Sequence, residues 1–414
     1  MKDEIIHHLD KPRQLEELYR SNKTSFKDAF NALYPEIEGN HVSKTWYERL
    51  NYSKLETTKG AVCELTFFIV ASFVAGVLAT LPNLTTIDSA HYYLRNISFI
   101  VFPLLIIYFT WKHQLEPKKW ITTSVGLLIS LIYINLLPGS DESDTLLLAC
   151  IHLPLLLWAT LGFTFAEGRL KSCSKRIDFL RYNGDLIVIT TIILIAGILL
   201  TAITISLFSL INVSVDQFYL QYIVPWGLAA APIIGTYFVQ TNPQLVNRVS
   251  PVIARVFTPL VLITLVVYLA AMIGADKDPY QDRDFLLVFN ILLIGVMAII
   301  LFSVAETSQY SRNKIAKWLL LSLSVVTIII NGIALSAILF RLLSWGITPN
   351  RLAVLGGNVL ILTHLLMVTY RLSQTIGNNR NIGRVKQSIV VFLPVYSIWT
   401  VLIIFPFPVI FGFN

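Results

Sequence analysis

Few residues in this chain combine reactive side chains with apolar surroundings, and each can be weighed singly. Glu64 is the only acidic residue well inside an apolar run. A carboxylate there would serve as a proton or cation site, because an intramembrane charge is costly and usually marks function. It stands only four residues beyond Gly60, ~6 Å along a helix. From there it can also reach the interface and pair with a Lys or Arg, the plainer reading. His152, Asn290, Asn331, Asn358 and His364 are the neutral polar residues inside apolar runs. Such side chains either line a path or hydrogen-bond to a neighbouring helix. A chain of buried carboxylates is missing, which disfavours a carrier driven through a deep proton relay.

Interrupted helices are a second kind of signal, since a break frees backbone groups that can meet a solute. The sixth apolar run contains Pro225-Trp226-Gly227, then Pro232 and Gly235. The tenth contains Gly356-Gly357-Asn358, six residues before His364. Pro225, Gly227, Asn331, Gly357, Asn358, His364 and Glu64 therefore make up a candidate pathway set. Arg341 and Arg351 flank a turn holding Trp345, Gly346 and Pro349. Two guanidinium groups so placed suit an anionic group or lipid headgroups. Two acidic loops, Asp141/Glu142/Asp144 and Asp276/Asp278/Asp282/Asp284, offer oxygen ligands. The second lacks the Gly and terminal Glu of a calcium loop and carries Lys277 and Arg283, so solvated turns are expected. No P-loop, dinucleotide motif, nucleophile elbow or zinc spacing occurs. The sequence thus implies no cofactor, no metal and no catalytic set.

The elements that must hold these residues follow from composition. Of 414 residues, 55% are hydrophobic and 14% charged, against about 25% charged in a soluble domain. The expected fold is an all-α polytopic transmembrane helical bundle, because only helices satisfy their backbone groups inside lipid. Eleven runs qualify: 61–81, 97–111, 120–137, 145–166, 186–211, 219–240, 256–274, 285–305, 318–340, 352–370 and 388–412. The last carries Pro394, Pro406 and Pro408, so its end is expected to bend along the interface instead of crossing. All 32 basic residues fall outside the runs, 27 on one side and 5 on the other. Basic residues favour the cytoplasmic side, so the N-terminus is expected there and the C-terminus opposite. That asymmetry accounts for the net charge of +7 without nucleic acid. Cys63, Cys150 and Cys173 are too few for a disulfide framework.

Residues 1–60 read as a separate cytoplasmic unit, ahead of a membrane domain over 61–414, with no cleaved signal peptide. It carries ten basic and ten acidic residues. Three short amphipathic helices are expected. The first starts at Lys11-Pro12. The second is opened by a Ser25/Asp28 capping box and stopped at Pro35. The third carries Val42, Trp46, Tyr47 and Leu50. The unit would either dock a cytoplasmic protein or cap the membrane surface.

The string Gly346-Ile347-Thr348-Pro349-Asn350-Arg351 resembles a signature in a bacterial membrane family known as domain of unknown function 4153. By order and spacing of runs the likeness covers roughly residues 60–400. It implies a bacterial inner-membrane protein and carries over no catalytic or binding residue. Three functions are compatible with these observations. The first is a transporter or facilitator of a small solute or lipid, with a polar midplane cavity holding Asn358, His364 or Asn331. The second is a scaffold or signalling component acting through residues 1–60. The third is a lipid-linked transferase or hydrolase, with only Glu64 and the two arginines to supply its chemistry.

Overall fold

The computed structural model describes residues 2–51, 54–138, 143–169, 172–242, 256–270, 280, 283–305, 314–375 and 382–413. Among them no strand occurs, and the chain divides into two units, Met1–Phe67 and Phe68–Asn414.

The first unit contains four short helices where three were expected: α1 (Lys2–His8), α2 (Pro12–Ser21), α3 (Lys23–Ile37) and α4 (His41–Asn51). Pro12 starts α2 as anticipated, its missing N–H falling where none is needed. The cap of α3 differs from expectation. Asn22, not Ser25, is the N-cap, and its side chain accepts from the Ser25 N–H. Pro35 does not end α3, which runs to Ile37. Ile5, Leu15, Phe26, Phe30, Leu33 and Trp46 are buried together. Arg49 ties the unit from outside, donating to Glu16 at 3.0 Å and lying 4.5 Å from the Trp46 ring centre. With Arg20 as well as Arg49 hydrogen-bonded to it, the Glu16 carboxyl is held below its ordinary range.

A long helix α5 (Lys54–Leu84) crosses from the first unit into the second. It is followed by α6 (Ser89–Lys112), α7 (Pro117–Leu136), α8 (Asp144–Phe165) and α9 (Cys173–Leu210). Next come α10 (Asp216–Thr241) and a shorter apolar helix, α11 (Val256–Ala270). The rest are α12 (Arg283–Ala305), α13 (Lys314–Trp345), α14 (Pro349–Ser373), α15 (Ile382–Ile404) and α16 (Pro406–Ile410). Ten helices among the described residues are long and apolar enough to cross a membrane, and α11 accounts for the seventh run. The protein is a multi-pass, all-α membrane bundle.

Several helices outrun their apolar stretches because polar end turns remain helical. The second run, read as 97–111, belongs to a helix starting at Ser89, capped by Asp88 accepting from the His91 N–H. The last run is interrupted at Phe405, between α15 and α16, and Gly383–Ile410 as a whole is long and apolar enough to cross. In the second unit α8 packs against α6 and α15, α9 against α10, and α12 to α15 succeed one another as neighbours. Ile300, Leu323, Ala334, Leu365 and Ile389 sit in one apolar cluster.

Candidate functional site

Asn331 on α13 and Asn358 on α14 are brought together. The Asn331 Nδ2 donates to the Asn358 carbonyl at 3.3 Å. Both are buried, at 0% and 3% exposure, and Asn331 Oδ1 and Asn358 Nδ2 have no hydrogen-bond partner among the described residues. His364 is fully buried two turns on. Its Nδ1 lies 3.1 Å from the Tyr396 hydroxyl, and its ring stacks on Phe392 at 4.7 Å. These three residues act as contacts between helices, and neither cleft described below is lined by them. His152 likewise bonds within its own helix, 2.8 Å from the Leu148 carbonyl.

The glycine pair is not a helix break, since α14 runs unbroken from Pro349 to Ser373. Gly356 forms a notch for Trp399: a β-carbon there would overlap the indole ring. At Gly357 a β-carbon would meet nothing within 4 Å. Pro225 and Gly227 lie elsewhere, on α10, which packs on α9 and α6. No hydrogen bond or ring contact among the described residues joins them to α14. Pro225 follows one π-helical turn, Tyr219–Ile223. The carbonyl that it leaves without a helical donor, that of Gln221, accepts from the Asn83 amide. Glu64 stands half-buried in the first unit.

Arg341 and Arg351 flank one indole, 5.5 and 5.6 Å from the Trp345 ring centre. Each donates to backbone. Arg341 Nε donates to the Tyr280 carbonyl at 2.9 Å. Arg351 Nη1 donates to the carbonyls of Trp345 and Gly346, each at 2.7 Å. The Gly-Ile-Thr-Pro-Asn-Arg string is thereby a self-capping turn. Gly346 ends α13 at φ +80°, where glycine is favoured. Thr348 caps α14, accepting from the Arg351 N–H at 3.3 Å, and Pro349 takes the first helical position. Cation capping of a carbonyl end recurs at Arg95, which sequence reading missed. It lies outside the second apolar run yet inside α6, 3% exposed, and donates to the Ile134 and Leu137 carbonyls at 2.6 and 3.0 Å. Only the position of the Asp88 cap could have placed it inside a helix.

Asp141, Glu142, Asp276, Asp278 and Asp282 lie outside the described residues, and so does the metal reading of the two acidic loops. No group of three or more metal-binding side chains forms among the described residues, and the three cysteines are free thiols.

One concavity among the described residues is not suggested by the sequence. A cleft of about 570 Å³ runs between α7 and α15 over a floor of α8. Two of its lining residues, Ile129 and Ile398, are 54% and 61% exposed, so it opens onto the apolar outer surface. Its five hydroxyl residues are Thr122, Thr123, Ser130, Thr160 and Ser397. Each donates to the carbonyl four residues back in its own helix. The walls thus present hydrocarbon and occupied hydroxyls. Along α8 the lining extends from Leu156 to Ala166, about 15 Å at 1.5 Å per residue. That is close to one leaflet of a hydrocarbon core of about 30 Å. A second cleft of about 490 Å³, lined by Trp111, Trp120 and Gln114, lies between α6 and α7 and shares Thr123 and Leu127 with the first. Helix α7 therefore stands between two clefts.

One end of the larger cleft is polar. Arg176 lines it, and nearby Glu167 pairs with Lys175 at 2.6 Å, Arg169 at 3.4 Å and His113 at 3.4 Å. The Lys175 hydrogen bond holds the Glu167 carboxyl below its ordinary range. Burial pushes the His113 imidazole down, against the pull of Glu167. No protein-family model matches the chain, nor does any curated protein or solved structure, so these contacts are the ground for a functional reading.

Proposed function

We propose that this protein binds a bilayer lipid, or a lipid-like amphiphile, taken sideways into the cleft between α7 and α15, and acts as a facilitator for it. One observation carries the reading: the cleft spans about one leaflet, opens onto the apolar surface, and keeps all five of its hydroxyl donors occupied. A site for a polar solute needs placed donors and acceptors, whereas an acyl chain needs hydrocarbon walls. The buried Asn331, Asn358 and His364 support packing better than passage. The bacterial inner-membrane setting, with a cytoplasmic N-terminus, belongs to the same proposal. It draws on the 27-to-5 division of basic residues and on the family resemblance.

The test is photo-crosslinking from a phospholipid with a diazirine in its acyl chain, in vesicles, followed by peptide mapping. Label should concentrate on 122–130 and 156–163 over the exposed outer half of α9. Gly126 lines the cleft, and a β-carbon there meets nothing within 4 Å. Gly126→Leu should therefore fill the cleft without strain and cut that labelling severalfold. Uniform labelling of every lipid-facing helix, unchanged by Gly126→Leu, would refute the reading.

A second reading has its own observation. Ile5, Leu9, Leu15, Phe26, Phe30, Leu33, Trp46 and Leu50 of the first unit are buried against one another, whereas a helix resting on a membrane would keep its apolar face for lipid. A docking role for a cytoplasmic protein fits this better than a surface cap. Deleting residues 2–51 should then release a co-purifying protein while cleft labelling persists; retention of that protein removes the docking role.

A further inference from the structure

The cleft has a charge at one end and, among the described residues, no counter-charge for it. Arg176, in the first turns of α9, lines the cleft beside Ala166 and Thr122. Its Nη1 donates to the Val390 carbonyl at 2.7 Å, using one of the five N–H donors of a guanidinium. That carbonyl is available because Pro394, four residues on, has no N–H to offer it. The bond anchors the side chain without neutralising it. Nearby carboxylates are engaged by other cations: Glu116 by Lys119 at 3.2 Å, Glu167 by Lys175 at 2.6 Å, and Asp178 by Arg181 at 3.8 Å. Among the described residues no carboxylate lies within ion-pair distance of Arg176. A cation at the edge of a low-dielectric groove is stabilised by an anion that arrives with the ligand.

We infer that the occupant is an anionic phospholipid of the bilayer, its phosphate-bearing headgroup held by Arg176 and one acyl chain lying along α8 toward Phe405. This rests on the lipid reading of the cleft and adds the headgroup. Lys118, at the start of α7 one turn before Thr122, adds positive charge at the same end. The planar fork of Arg176 suits a phosphate. The five hydroxyls cannot substitute for it, since their protons are already donated to their own helices.

The test uses the full chain, purified and reconstituted with equal mole fractions of dioleoyl phosphatidylglycerol and dioleoyl phosphatidylcholine, which share chains and differ in headgroup charge. Retained lipid is counted by native mass spectrometry. The expected result is a preference of about fivefold for phosphatidylglycerol, the effect of one interfacial cation, falling as salt is raised because the contact is partly exposed. Arg176→Gln should bring the preference near one while phosphatidylcholine is still retained, and Arg176→Lys should restore part of it. Should Arg176→Gln fail to fold, the salt dependence in the unaltered protein decides alone. Equal retention of both lipids by the unaltered protein overturns the headgroup assignment and leaves the cleft reading standing. So does a preference that survives Arg176→Gln or ignores salt. Retention of neither lipid overturns both. A preference met equally by free inorganic phosphate as competitor would also overturn it, by showing an anion site independent of the chain.

Discussion

Replacing Gly356 and Gly357 by alanine, one at a time, separates a packing notch from a functional break in the helix. The two residues are neighbours on α14, so membrane depth and insertion cost are nearly shared. Alanine gains about 0.5–1 kcal/mol over glycine in a helix interior, and this applies to both. The difference lies in space. At 356 a β-carbon overlaps the Trp399 ring, and at 357 it meets nothing within 4 Å. Forcing a carbon into a filled site costs typically about 1–3 kcal/mol, so Gly356→Ala should be the less stable variant by that amount. Gly357→Ala should equal or exceed the unaltered protein by about 0.5–1 kcal/mol. Unfolding of the purified chain by SDS titration in mixed micelles, followed through tryptophan fluorescence, reads both. The reasoning fails if Gly357→Ala loses as much as Gly356→Ala, for then the pair opens the backbone. A double substitution Gly356→Ala/Trp399→Leu, which removes the obstructing ring, should narrow the gap between the two sites.

Asn358→Leu should leave stability within about 1 kcal/mol, because Asn331 bonds to the Asn358 backbone and membrane interhelical bonds average only about 0.6 kcal/mol; a loss above about 2 kcal/mol in the same titration would show that the amide holds a partner of its own. In the α13–α14 turn, Gly346→Ala forces a side chain to φ +80° and should cost about 1–2 kcal/mol. Thr348→Ala removes the cap for about 1 kcal/mol, and their sum should fall short of additive because they share one turn. For pH, the folded state disfavours protonation of both His113 and Glu167, so the unfolded chain binds more protons and stability falls on acidification. The His113 contribution goes as pH drops below imidazole's ordinary value of about 6.5, and that of Glu167 below about 4.3. Thermal midpoints across pH should therefore fall less steeply in His113→Gln over the first window and in Glu167→Gln over the second. In the first unit, Phe30→Ala removes a fully buried ring and should cost about 3–5 kcal/mol, seen as faster limited proteolysis within residues 2–51.

The bundle was legible because hydrocarbon imposes one rule on every segment: eleven apolar stretches could satisfy their backbone groups only as helices. Helix ends were less legible. Hydropathy falls where polar residues begin, but hydrogen bonding does not, so Arg95 is a buried residue of α6 although its sequence neighbours read as a loop. Pro35 failed as a stop signal because one proline costs only its own bond, and the residues to Ile37 still pack. The polar residues were visible as types but not as roles. Whether Asn331 lines a path or bonds to a neighbour depends on which helix lies opposite, and sequence spacing does not encode that. The cleft left no mark at all. Its residues come from α7, α8, α9 and α15 in numbers too small to shift any local pattern, and its hydroxyls look polar until their donors are traced to their own helices.

The prolines show how helix interruptions are closed within the bundle. Each proline inside a helix frees the carbonyl four residues earlier, and in lipid a freed carbonyl must find a donor or a solute. Three of them find donors on other helices. Pro82 frees Leu78, which accepts from the Tyr92 hydroxyl at 2.9 Å; Pro225 frees Gln221, which accepts from Asn83; Pro394 frees Val390, which accepts from Arg176 at 2.7 Å. A break closed by a neutral tyrosine or asparagine leaves no charge to attract an anionic ligand, and at Pro225 the freed carbonyl is already engaged. At Pro394 the donor is a cation, and capping a carbonyl does not discharge it. The third break thus leaves a positive charge at the end of an apolar groove, where the first two leave only a kink. On the proposed lipid reading, what would distinguish a structural proline from a binding one in this bundle is the residual charge on the side chain that closes the gap.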